Sequence, residues 1–181
     1  ETVNRAVPVW DGLGPWRAAV VQFSYHVEYP DKQHAHVAYL AEGPHDPQPE
    51  LAERMLEATA DAERILMYSP YERTQINQLA ERVPSMAPDL KALDAKLVDL
   101  APLVREHVYH PKFNGSFSIK DVLNPLVPDL TYSDLAIVDG LVASVEIARL
   151  LFVAHLVKDR DQLRKDLLAY CERDTWAMVR L

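Results

Sequence analysis

The sequence predicts an α/β fold, a mixed β-sheet with helices on both faces, and three observations predict it. Strand-like runs near the amino end give way to helix, strand, helix, strand and helix in succession. From Leu163 to Leu181 the positions of one stripe fall at alternating steps of four and three, which is one face of an α-helix. The chain has 181 residues and 49% apolar content, enough for one domain with a substantial core.

Residues Thr2–Pro15 are expected to be a loop, because Pro8, Gly12, Gly14 and Pro15 interrupt any regular element. Ala18–Glu28 reads AAVVQFSYHVE, rich in β-branched and aromatic residues, and is expected to be a strand. His36–Leu40 is a second strand, antiparallel to the first across the short Tyr29–Gln33 turn. Gly43–Pro49 is a loop. Glu50–Glu63 is an amphipathic helix that turns Leu51, Met55, Ala58 and Ala62 inward.

Arg64–Tyr68 (RILMY) is a short buried strand, and Pro70–Val83 is the next helix, opened by Ser69. Pro84 and Pro88 bound a linker. A short helix over Leu90–Ala95 leads to a strand edge at Lys96–Asp99, and another helix starts near Ala101. Gly115–Ser116 is a turn. Ile119–Leu126 is a short helix, stopped by Pro125 and Pro128. Asp139–Gly140 is a further turn, followed by helices over 141–157 and 159–180.

The formal net charge is −8, so no global basic field draws nucleic acid to the surface. One cysteine, Cys171, excludes an internal disulfide and a cysteine-rich zinc site. With no signal peptide, the expected location is cytoplasmic. The most apolar helix contains Glu146, Arg149 and His155 and is too short to span a bilayer, so no membrane is expected as a partner. The chain begins at Glu1 without an initiator Met and is expected to be a fragment of a longer protein.

Two carboxylates stand out. Asp174 interrupts the apolar stripe Leu163, Leu167, Tyr170, Ala177 and Leu181, so it points into the core, where an unpaired carboxylate is costly. Tyr170 lies one turn earlier on the same face. Glu72 aligns with Ile76, Leu79 and Val83 and also faces inward. A second role competes for it: Ser69-Pro70-Tyr71-Glu72 matches a capping box, with Ser69 as the N-cap. Asp99 is read as a helix N-cap and Cys171 as a buried thiol. His34 and His36 share one strand face, while His107 and His110 lie one helical turn apart. A zinc site would require these four to cluster. Lys120, after the Gly115–Ser116 turn, is within reach of a phosphate but reads first as a solvated lysine.

Together, three pieces resemble the ordered motifs of the DnaQ-like (DEDD, RNase H-like) 3′–5′ exonuclease superfamily. Glu1-Thr2 resembles the second half of its Asp-x-Glu motif at the end of the first strand. Ser69-Pro70-Tyr71-Glu72 occupies the place of Asn-x-(Phe/Tyr)-Asp, with Glu in place of Asp. Tyr170 and Asp174 match Tyr-x-x-x-Asp. The resemblance is closer still to one bacterial domain-of-unknown-function family within that superfamily. It is carried by VVQFSYHVE at 20–28, YSPYERTQINQLA at 68–80, VDL at 98–100, YHPKFNGSFSIKDVLNPLVPDLTY at 109–132 and AYCERDTWAMVRL at 169–181.

The resemblance implies one RNase H-like domain over 1–181, a mixed β-sheet flanked by helices with the first strand truncated. It implies a hydrolase that holds Mg²⁺ or Mn²⁺ on Glu1, Glu72 and Asp174, with Tyr170 orienting or helping to deprotonate the attacking water. The first-motif Asp would lie two positions before Glu1. The implied partners are a single-stranded DNA or RNA end and an upstream domain of the same chain. Tyr71, Phe113 and Phe117 are candidate base-stacking residues. The alternative is a catalytically degenerate domain that binds nucleic acid or a protein without cutting.

Overall fold

The computed structural model describes residues 1–181. Strand β1 (Thr2–Asn4) pairs antiparallel with β2 (Ala18–Val20), placing Val3 opposite Ala19. The loop expected over Thr2–Pro15 therefore begins with a short strand. Strand β3 (Gln22–Glu28) pairs antiparallel with β4 (His34–Leu40), and His26 faces His36 across the ladder. Between these ladders, Val21 changes partners: its N–H donates to the Glu1 carbonyl and its own carbonyl accepts the Ala41 N–H. The single strand expected over Ala18–Glu28 is thus shared between two neighbours, one on each side. Strand β5 (Ile65–Met67) pairs parallel with β6 (Leu97–Asp99). The α/β class holds, with antiparallel and parallel pairing expressed as three two-stranded ladders.

The helices are α1 (Gln48–Ala58), α2 (Tyr71–Arg82), α3 (Ala87–Ala95), α4 (Ala101–His107), α5 (Ile119–Leu126), α6 (Gly140–Phe152) and α7 (Arg160–Arg180). Short 3-10 turns precede α3 and α5 and follow α6. The Asp139–Gly140 turn is the entry to α6, where the Asp139 carboxylate accepts the Val142 N–H at 2.9 Å. Asp159 caps α7 in the same way through Gln162. Each such cap is worth about 1 kcal/mol. None of the helices is long and apolar enough to cross a membrane.

Alternation along the strands separates two cores. Val3, Ala19, Val21 and Leu40 pack with Ile147 and Leu150 of α6 and Leu167 and Tyr170 of α7. Val20, Phe23 and Tyr39 turn the other way, toward Leu51, Ile76, Leu79 and Leu90 of α1, α2 and α3, with Met67 and Leu97. A smaller group joins Leu123, Val127 and Leu130 to Ala177. Helix α7 therefore touches two of the three cores. The predicted stripe holds along it: Leu167 and Ala177 have no exposure and Tyr170 has 2%, while Leu181 is exposed. One polar tie fixes its position. The buried Gln22 side chain donates to the Leu167 carbonyl at 2.8 Å.

Candidate active site

The strand end at Glu1, the start of α2, the start of α6 and the middle of α7 meet at one place. Glu1 and Tyr170 meet at Gly140, where a Cβ would lie 3.7 Å from both Glu1 Oε2 and the Tyr170 hydroxyl. Both atoms thus line the space beside the Gly140 Cα. Glu72 enters from α2, close enough that the Asp174 charge adds to the rise of its pKa and that Cys171 feels Glu1, Asp174 and Glu72 together. The structure thus brings all four predicted residues, Glu1, Glu72, Tyr170 and Asp174, into one electrostatic neighbourhood.

Glu72 is not a helix cap. Helix α2 starts at Tyr71 with Pro70 as N-cap; Ser69 Oγ accepts the Tyr71 N–H at 3.4 Å, while the Ser69 N–H that a capping-box Glu72 would bind is taken by Asp99. Ser69 stands outside the helix at φ 90°, a left-handed conformation uncommon for a non-glycine residue. Asp99 imposes this geometry from β6: its Oδ1 accepts the Ser69 N–H and the Ala101 N–H, each at 2.9 Å. Asp99 therefore does accept a backbone N–H at the start of α4, as expected of a cap, and it also ties α4 to the entry of α2. The outcome is that Glu72 turns inward with Oε2 buried and without a partner. Burial pushes its carboxyl up to about 7, and Asp99 and Asp174 add to the shift.

Asp174 is in the same condition. Its Oδ1 is buried without a partner. Burial raises its pKa, opposed by the Tyr132 hydroxyl, the Lys120 charge and the Tyr170 hydroxyl. Tyr170 itself is pushed well above its ordinary value, by burial first and then by the charges of Asp174 and Glu1. The Cys171 thiol is pushed up to about 12 by burial, so the reading of a buried, unreactive thiol stands.

Lys120 is the residue that sequence reasoning placed wrongly. It is half-buried, with Nζ donating to the Val138 carbonyl at 2.7 Å and to the Tyr170 hydroxyl at 3.2 Å. It also sits 5.0 Å over the rings of both Tyr132 and Tyr170, a cation–π geometry. Tyr132 was not singled out either. The dense match at 109–132 was the available signal, since it contains both residues. Beside Lys120 runs an open cleft of about 400 Å³, whose walls include His110, Lys112, Asn114 and Asn124.

The remaining expectations divide. Phe113 is buried against Phe117 and offers no face to a base, whereas Tyr71 is 46% exposed and its hydroxyl is 2.9 Å from Thr2 Oγ1. The four-histidine cluster does not form. His107 pairs with Glu106 at the surface, His110 packs on Phe113, and His34 and His36 lie on the β3–β4 hairpin.

The unpaired buried oxygens of Glu72 and Asp174 are hard donors of the kind a divalent cation takes, but the ligand atoms of Glu1, Glu72 and Asp174 are not all within 4.8 Å of one another, a spacing that His26, His36 and Glu172 do meet. A family model described as Domain of unknown function (DUF2779) matches residues 1–118, a span that includes Glu1 and Glu72 and stops before Tyr170 and Asp174. No curated protein and no solved structure matches the chain.

Proposed function

The chain belongs to the family described as Domain of unknown function (DUF2779), and from that premise we propose that it is a metal-dependent 3′–5′ exonuclease domain of the DnaQ-like, RNase H-like type. The observation that carries this reading is the pair of orphaned buried oxygens, Glu72 Oε2 and Asp174 Oδ1, on two helices that converge beside Glu1. A carboxylate held inside a protein without a partner is a large liability unless something binds there. Acid oxygens without nitrogen or sulfur donors select Mg²⁺ or Mn²⁺. Such ions, when bound, activate water and stabilise the leaving oxygen of a phosphodiester.

The chain's own residues do the rest. Tyr170 keeps its proton at neutral pH, so its hydroxyl orients a water and does not deprotonate it. Lys120 donates to the Tyr170 oxygen, which leaves the Tyr170 proton free to point toward a carboxylate or a water. The Lys120 charge lies beside Asp174 and is placed to meet a phosphate oxygen entering from the adjoining cleft. Lys112 and Lys120 outweigh the one carboxylate of that cleft, Asp121, within a chain whose net charge is −8.

The test uses the protein as it occurs naturally. The protein is incubated with 3′- and 5′-labelled single-stranded DNA and RNA, with Mn²⁺ or with chelator, beside Asp174→Asn. Shortening from the 3′ end that needs both Mn²⁺ and Asp174 supports the exonuclease and identifies its substrate. No cleavage by folded protein, or cleavage unchanged by Asp174→Asn, overturns it in favour of a domain that binds without cutting.

A further inference from the structure

The opposite face of α7 carries a second cluster of different chemistry. Glu172 is two residues from Tyr170 and from Asp174, and at 100° per residue it points away from both. It faces the β3–β4 hairpin, where His26 and His36 stand directly opposite each other. One ligand-capable atom from each of His26, His36 and Glu172 lies within 4.8 Å of the other two. We propose that His26, His36 and Glu172 form a transition-metal site of the Zn²⁺ class that clamps the hairpin to α7.

The hydrogen bonding around the rings supports this. Thr175 Oγ1 is 2.8 Å from His26 Nδ1, and Ser24 Oγ is 2.8 Å from His36 Nε2. The two hydroxyls are themselves 2.7 Å apart. Each imidazole therefore spends one nitrogen on a hydroxyl and leaves the other, His26 Nε2 and His36 Nδ1, without a protein partner. His36 Nδ1 is 3.8 Å from Glu172 Oε1, too long for a hydrogen bond. This is the outer support that metal-binding histidines have: a polar group on the far nitrogen that fixes tautomer and ring orientation.

Two imidazoles and one carboxylate make a borderline donor set that prefers Zn²⁺, Co²⁺ or Ni²⁺ to Mg²⁺. His26 is half-buried while His36 and Glu172 reach solvent, which leaves a fourth position for water and a route of entry. The rings now stack with centroids 4.5 Å apart and planes 26° from parallel. Metal–nitrogen bonds of about 2.0–2.1 Å require them to turn and converge, and the exposed Glu172 to swing inward. Binding thus breaks the stack and draws α7 onto the hairpin. Trp176 is placed to report it, with its ring 5.3 Å from His26 and 5.0 Å from His34.

The test is calorimetric titration of the chelator-stripped full chain with Zn²⁺, with Co²⁺ absorption and tryptophan emission followed in parallel. The expected result is one saturable Zn²⁺, a tetrahedral Co²⁺ spectrum and a change in Trp176 emission. His26→Gln/His36→Gln and Glu172→Gln should abolish these. Thr175→Val should weaken Zn²⁺ binding about 10-fold or more by removing ring support. Because Glu172 is exposed, its variant keeps the question open to test should the double variant fail to fold. Glu72→Gln/Asp174→Asn should bind Zn²⁺ normally, which separates this site from the carboxylate cluster. Absence of saturable Zn²⁺ binding, its survival in Glu172→Gln, or its loss in a His107→Gln/His110→Gln control would overturn the proposal.

Discussion

Lys120 and Tyr170, 50 residues apart, meet ammonium to hydroxyl at 3.2 Å. This contact joins α5 to α7 beside Asp174. Lys120→Met removes a donor to Tyr170, a donor to the Val138 carbonyl and a charge next to Asp174. The expected effect on cleavage is a loss of about 10²-fold, the scale of deleting one preorganised donor from an active site. Lys120→Arg should recover part of it. Single-turnover rates for the three forms, with melting temperatures to exclude unfolding, decide the matter.

Glu72 gives a pH dependence of definite sign. The folded protein holds its proton up to about pH 7, while an unperturbed carboxyl releases it near 4.5. Between these values the folded state binds more protons than the unfolded one, so stability contributed by Glu72 falls as pH rises through that window and is level above it. Thermal melts in chelator should show this fall, and Glu72→Gln should flatten it. Added Mn²⁺ should raise the melting temperature more at pH 8 than at pH 5, because ion and proton compete for one carboxylate.

Much of this was legible in the sequence. Asp174 declared itself by breaking an apolar stripe of helical period, and Glu72 by alignment with Ile76 and Leu79. What escaped depends on contacts distant in the chain. Whether Glu72 capped its helix was decided by Asp99 on β6, which holds Ser69 out of the helix. Strand β1 was hidden by the prolines and glycines after it, since three residues become a strand only when Ala18–Val20 pair with them. Lys120 looked solvated because Val138 and Tyr170, which enclose it, arrive later in the chain.

Ser69 should respond to substitution against the usual direction. At φ 90° a side chain is strained, by about 1–3 kcal/mol for such backbone conformations. Ser69→Gly relieves that strain and is expected to raise stability by about 1 kcal/mol or leave it unchanged, while Ser69→Val lowers it. Urea denaturation of both variants checks this. Destabilisation by glycine equal to that by valine would refute the strained geometry.

Leu167 has no exposed surface and lies one turn before Tyr170. Leu167→Ala should cost about 2–5 kcal/mol through lost burial and the cavity it leaves. It also loosens the segment whose carbonyl Gln22 holds. Cleavage should therefore fall in parallel with Mn²⁺ affinity, since Asp174 is carried by the same helix. The measurement pairs chemical denaturation with Mn²⁺ titration of the variant.

The carboxylate cluster draws on residues 1, 72 and 174. During synthesis, a ribosome must release nearly this whole stretch before α7 can dock and Asp174 can join the others. A nascent chain, or one broken off before α7, carries Glu1 and Glu72 without their third member. The cluster is thus completed only by α7, the last of its three contributing segments to leave the ribosome.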